Sequence, residues 1–148
     1  STLESVGGVV VVADDDQRLL QWIAGWLKDL GFRVLTAQNG QEALLQFVEH
    51  REEVKLVILD LIMPKLGGKE AFRRLRQLEP ELRVIMMSGY VDEERVQDVL
   101  QEGVGYFLRK PFSEGELQAA IKQLLADAPR GPAAGRSGRS VLGGLKRG

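Results

Sequence analysis

Cysteine is absent from this chain of 148 residues, which excludes a disulfide framework and any thiolate metal site. Histidine occurs once, at His50, so a zinc centre built on several imidazoles is excluded as well. No apolar run approaches the roughly 20 residues that a membrane-spanning helix needs. The opening STLESVGG lacks the basic stretch of a secretory signal, and a cytoplasmic setting with no membrane partner is the expectation. An excess of one sign of charge is missing too, with 21 acids against 20 bases. That balance is uneven along the chain. Residues 127–148 hold one acid and five bases (Arg130, Arg136, Arg139, Lys146 and Arg147), which leaves 20 acids, 15 bases and a charge of −5 on residues 1–126. Such a body is not electrostatically suited to nucleic acid.

What is present is a series of short apolar stretches, each running into polar residues. The central one is LVILDLIMP, where Leu56, Val57, Ile58 and Leu59 lead straight into Asp60. An uninterrupted, partly β-branched run of this length reads as a strand covered on both faces. Pro64 prevents its continuation, so Asp60 falls where a buried strand meets a loop.

The same logic runs along the rest of the chain. Val9 to Ala13 is a strand ending in Asp14, Asp15 and Asp16. Leu19, Leu20, Ile23, Trp26, Leu27 and Leu30 then recur at helical spacing, with Asp16 placed as N-cap and Gly31 as stop. Trp22 and Trp26 stand one turn apart, as a core or partner stripe. Phe32 to Thr36 reads as a strand, and Asn39-Gly40 opens a helix with Ala43, Leu44, Phe47 and Val48 on its apolar face. Gly67-Gly68 restart the chain into a helix carrying Ala71, Phe72, Leu75 and Leu78. Leu82 to Met87 is the fourth strand, ending in Ser88-Gly89. A weakly amphipathic helix, Asp92 to Gln101, offers only Val96, Val99 and Leu100 to a core. Tyr106 to Leu108 precedes Arg109, Lys110 and Pro111, and Ser113 with Glu116 forms a capping box for the last helix. Five strands alternating with five helices through short connections predict a parallel sheet with helices on both faces. Residues 1–126 are expected to form one domain, its core starting near residue 7. Residues 127–148, rich in Gly and Arg, read as a flexible tail or truncated linker.

Parallel strands put all their carboxyl ends on one edge, so Asp14, Asp15, Asp60, Ser88 and Lys110 can converge there. Each has a structural reading of its own: helix cap, turn residue or surface charge. Together they describe more. Three crowded carboxylates repel, and one would hold a proton unless a cation intervenes. Lys110 supplies one positive charge, and Mg²⁺, which suits one or two carboxylates, waters and a phosphate oxygen, supplies the other. Such a site is built to hold a phosphoryl group against a carboxylate nucleophile.

Over residues 7–126, in VVADDD, ILDLIMPKLGG, MMSGY and FLRKPF, the sequence resembles the receiver domain of two-component response regulators. The resemblance implies an α/β, doubly wound, flavodoxin-like (βα)5 fold with strand order 2-1-3-4-5. It implies that the domain is a phosphoacceptor rather than a conventional enzyme. Asp60 would take phosphate from a phosphohistidine on a sensor histidine kinase or histidine phosphotransfer protein. Asp15 and Asp60 would bind Mg²⁺ directly, Asp14 through water, and the backbone carbonyl of Ile62 would complete the set. Ser88 and Lys110 would contact the phosphoryl oxygens, and the Lys110–Pro111 peptide would be cis. The face of the fourth helix, fifth strand and last helix would be the output surface and a candidate homodimer interface. The parent is left open: a stand-alone receiver, a receiver cut from a larger regulator, or the terminal receiver of a hybrid histidine kinase.

The chain departs from the family's commoner residues at two positions. Phe107 replaces the usual switch tyrosine and cannot donate a hydrogen bond, and Ser88 stands for threonine. Bulky Ile62 and Tyr90 predict slow self-hydrolysis of the aspartyl phosphate. Three alternatives fit less well. A magnesium-dependent phosphatase would carry DxDx(T/V) after the first strand, where this chain has DDDQR. A flavin carrier needs a Ser/Thr/Gly-rich first loop, and a phosphorylation-independent interaction module has no need of the intact five-residue set.

Overall fold

A computed structural model describes residues 7–89 and 92–126; Tyr90 and the expected tail over 127–148 lie outside the described residues. The elements alternate as β1 (Val9–Ala13), α1 (Gln17–Asp29), β2 (Arg33–Ala37), α2 (Gly40–Glu49), β3 (Val54–Asp60), α3 (Gly68–Leu78), β4 (Val84–Ser88), α4 (Glu93–Gln101), β5 (Tyr106–Arg109) and α5 (Glu114–Ala126). The strands form one sheet of order β2-β1-β3-β4-β5, and every pairing is parallel. This is the doubly wound, flavodoxin-like arrangement.

The central strands show why apolar runs were needed on both sides. Val10, Val12, Leu56, Ile58, Ile85 and Met87 face one core layer, packed with Leu20, Ile23 and Leu27 of α1 and Leu117, Ile121 and Leu124 of α5. The alternate residues Val11, Val57, Leu59, Val84 and Met86 face the other, against Phe47 of α2, Phe72 and Leu75 of α3 and Val99 of α4. Successive strand residues point to opposite faces, so a strand between two helix layers must be apolar throughout.

Helix ends follow their local chemistry. Asp16 caps α1 by accepting from the amides of Arg18 and Leu19, and Asn39 caps α2 through the amide of Glu42. At the far end of α1, Gly31 adopts a positive φ of 101° and donates to the Lys28 carbonyl, while the Phe32 amide donates to Leu27. This pairing of a left-handed glycine with an apolar residue beyond it is the Schellman motif. It corrects the expected start of the second strand. Phe32 belongs to the cap and packs into the α1–α5 core layer, so the ladder begins at Arg33.

Other boundaries shift for similar reasons. A turn in which the Leu82 amide donates to Glu79 delays β4 to Val84, and the strand runs on through Ser88. Val48, expected on the apolar face of α2, is exposed, as is Leu45; Ala43 and Phe47 carry the burial. α4 buries only Val96 and Val99, yet its polar residues segregate cleanly to the other side. Its distinction is a small apolar face rather than weak amphipathicity.

Candidate functional site

β1 and β3 are neighbours although two helices and a strand separate them in sequence, so the chain reverses its winding direction between them. A crevice opens at the carboxyl edge of a sheet where winding reverses. Asp14 follows β1 and Asp60 ends β3, which sets both carboxylates at that point. Asp14 is fully buried. Its Oδ1 accepts from the Asp16 amide at 2.8 Å and its Oδ2 from Lys110 Nζ at 2.7 Å. The same ammonium lies 3.2 Å from Asp60 Oδ1. Ser88 is buried at the end of β4, and its carbonyl accepts from the Lys110 amide at 2.9 Å, which ties β4 to the start of the β5–α5 loop. Asp15 is exposed beside them.

The structure thus brings together all five residues that the sequence singled out. Ile62 lies in the loop after Asp60 and is 61% exposed. Phe107 is half-buried against the α2–α3–α4 core layer, and the Lys110–Pro111 peptide is cis.

Charge crowding leaves its mark on Asp60. Burial first, and then the neighbouring Asp14 carboxylate, push its pKa up from 3.8 to about 6 against the opposing pull of Lys110. For Lys110, burial works to lower the pKa, but the hydrogen bond to Asp14 and the charges of Asp60 and Asp14 outweigh it and hold the ammonium above its ordinary value. One lysine does not relieve the crowding. Asp14, Asp15 and Asp60 each offer a carboxylate oxygen within 4.8 Å of the others. An all-oxygen donor set with one open, exposed member fits a hard divalent cation that keeps part of its water shell.

One feature of the site escaped sequence reasoning. Trp22 is not a core residue but 37% exposed, and its ring lies 6.0 Å from that of Phe112, tilted by 50°. With Leu19, Asp16, Gly89 and Lys110 these rings line an open groove of about 580 Å³ beside the acidic cluster. The signal was available only through topology. α1 and α5 share a face of the sheet, which puts the first turns of α1 beside the loop that carries Lys110 and Phe112.

The family model of the response regulator receiver domain matches residues 10–122, most of the chain. The chain belongs to the response regulator receiver family. It is 35% identical over 122 residues to the probable transcriptional regulator ycf27 of Pyropia yezoensis, covering 82% of this chain and 49% of that protein. It is 32% identical over 117 residues to the sensor kinase CckA of Brucella abortus, covering 79% of this chain and 12% of the kinase. The CheX–CheY–BeF3–Mg complex of Borrelia burgdorferi superposes with a TM-score of 0.75 at 26% identity, covering 79% of this chain and 88% of that one. This receiver therefore spans about half the length of the one relative and an eighth of the other. Receiver domains are phosphoacceptors of two-component signalling: they take phosphate on an aspartate, bind Mg²⁺ in an acidic pocket and work with histidine kinases or phosphotransfer proteins. Among the described residues, no helix is long and apolar enough to cross a membrane.

Proposed function

We propose that Asp60 is the phosphoacceptor of this receiver. It takes a phosphoryl group from a phosphohistidine on a partner sensor histidine kinase or histidine phosphotransfer protein. The observation that carries this reading is the position of Asp60: buried at the winding reversal, raised in pKa, and 3.2 Å from the Lys110 ammonium. A carboxylate titrating near 6 is largely ionised at neutral pH and more nucleophilic than an ordinary one. Lys110 Nζ and the Ser88 hydroxyl donate to phosphoryl oxygens as the Asp60 oxygen bonds to phosphorus and the P–N bond to the donor histidine breaks, its electron pair returning to the imidazole nitrogen. Asp14 holds Lys110 in place. Asp15 and Asp60 would hold Mg²⁺ directly, Asp14 through water, and the Ile62 carbonyl would complete the set. When bound, the ion neutralises carboxylate and phosphoryl oxygens together. Ile62 and Tyr90 would shield the product and make self-hydrolysis slow.

Phosphorylation adds charge and acceptor oxygens at the sheet edge. Ser88 moves towards them, Phe107 packs inward behind it without a hydroxyl to donate, and the change is read on the α4–β5–α5 face, by a partner or a second copy.

Intact mass after incubation with Mg²⁺ and acetyl phosphate tests this. One base-labile phosphate is expected on the wild type and none on Asp60→Asn. Phosphate on both would mean that another residue is the acceptor, and phosphate on neither, with the fold intact, would favour a phosphorylation-independent interaction module. Decay of the same mass peak reads the lifetime, and a half-life of seconds would contradict the shielding.

A further inference from the structure

We propose that α2 and α3 together form a face on which a second copy of this chain docks, in a weak two-fold dimer that pairs α2 of each copy with α3 of the other. Four large apolar side chains are exposed among the described residues. Trp22 lines the groove beside Lys110, and Ile62 lies in the loop after Asp60. The other two, Leu45 at 63% and Val48 at 53%, serve neither the core nor the site. They stand three residues apart on α2, and residues at that spacing share one side of a helix. Ala43 and Phe47 bury the opposite side, and Leu44 packs partly into the core beside them.

The face is fastened and dipolar. α2 and α3 each lead from the carboxyl end of one parallel strand to the amino end of another, so they run in the same direction in one layer. The Gly40 amide donates to the Leu66 carbonyl at 2.9 Å just before α3 begins, and a Cβ on Gly40 would overlap that oxygen. At the other end Arg51 donates to the Leu78 carbonyl, so the helix pair is tied at both ends. α2 carries Glu42 and Glu49 and no base, whereas α3 carries Lys69, Arg73, Arg74 and Arg76 against Glu70. Glu49 has no ion-pair partner among the described residues, and Arg74 meets Glu70 at 3.2 Å in an exposed pair that is weak in water. A two-fold axis parallel to the helices, lying over the seam between them, carries α2 of one copy onto α3 of the other. The acidic helix then meets the basic one twice, with Leu45 and Val48 of both copies between. An axis across the helices would instead set α2 against α2, acid on acid. Two helices of about 15 Å, about 10 Å apart, offer less than the roughly 800 Å² per partner of a standard interface, so the dimer is weak and reversible. Asp60 takes no part in it, and the association is independent of phosphorylation.

Sedimentation equilibrium of the full chain, without Mg²⁺ or beryllofluoride and at up to about 0.5 mM, tests this. Wild type and Asp60→Asn are expected to show the same reversible monomer–dimer equilibrium. Association should weaken about 3- to 10-fold between about 50 and 300 mM salt, as the opposed charges are screened. Leu45→Glu and Val48→Glu, both at exposed helical positions, should each weaken it about 10-fold or more, and Arg95→Glu on α4 should leave it unchanged. Glu49→Arg and Arg74→Glu should each weaken it, and the two together should recover it, because the reversed charges still attract. Circular dichroism checks that each variant keeps its helices. A wild type that stays monomeric at about 0.5 mM overturns the proposal and leaves the face to a different occupant. A dimer that Leu45→Glu leaves intact, or that salt strengthens, overturns it as well. Phosphorylation of Asp60 is expected to survive in Leu45→Glu, which is then the background in which association through the α4–β5–α5 face reads alone.

Discussion

At the scale of single residues, the site is held in tension. Asp60 titrates near 6 in the folded chain and near 3.8 as an ordinary carboxyl, so the folded state keeps its proton longer than the unfolded state does. The resulting loss of stability appears as pH rises from about 4 to 6 and persists above that. Asp60→Asn should therefore stabilise the Mg²⁺-free protein at pH 7.5 by about 1–3 kcal/mol, the worth of a two-unit shift at most. The gain should vanish near pH 4 and shrink when Mg²⁺ is added. Urea unfolding at three pH values checks it, and a gain that grows towards low pH would refute the origin in Asp60.

At the scale of elements, the loop after β3 and the helix α4 show how the site is fixed and how it can move. A Cβ on Gly68 would overlap the Asp60 carbonyl oxygen and approach the Leu61 Cα to 2.9 Å. Both are backbone atoms of Asp60 and the residue after it, so they cannot move without moving Asp60. Gly68→Ala should cost about 1–3 kcal/mol in urea unfolding and slow phosphorylation of whatever folds. A fully stable, fully active variant would show that the loop is free to shift.

Among the described residues, the two ends of α4 are tied unequally. At its C-terminal end, Glu102 accepts two hydrogen bonds from Arg73, at 2.8 and 2.9 Å, with Lys69 at 3.5 Å. Arg76, stacked over Phe72, donates to the carbonyls of Leu82 and Gly103, and the Val104 amide closes a second Schellman motif on Val99. The start of α4 has an exposed ion pair from Glu93 to Arg109, which is weak in water. The helix should pivot about its C-terminal end. Amide shifts on binding beryllofluoride with Mg²⁺ are expected to be larger over residues 92–97 than over 100–104, and equal shifts at both ends would contradict the pivot.

At the scale of the whole molecule, the sheet edge is the proposed input side and the α4–β5–α5 face the proposed output side. α4 and its caps carry Asp92, Glu93, Glu94, Asp98 and Glu102 against one base, Arg95. Two copies meeting through that face bring like charges together, and salt screens such repulsion. Sedimentation should show self-association of the beryllofluoride form strengthening from 50 to 300 mM salt. A dimer that weakens with salt would point to an attractive ion-pair interface instead.

Much of this receiver was legible in its sequence. The apolar runs, the caps at Asp16 and Asn39, and the polar residues closing each strand are local signals, written by period and by hydrogen-bonding chemistry. The motifs VVADDD, ILDLIMPKLGG and FLRKPF carried the family and with it the strand order, which periodicity could not supply. Boundaries were less legible where a residue could serve two roles: Phe32 looks like a strand residue until Gly31 turns left-handed and makes it part of a cap. Only the tertiary structure decided that Lys110 bridges Asp14 and Asp60, that Asp60 is buried while Asp15 stays exposed, and that Trp22 of α1 faces Phe112 across a groove. Those relations depend on which elements share a face and how deeply each side chain is withdrawn from water. Distance and burial arise between segments far apart in the chain, and no local pattern encodes them.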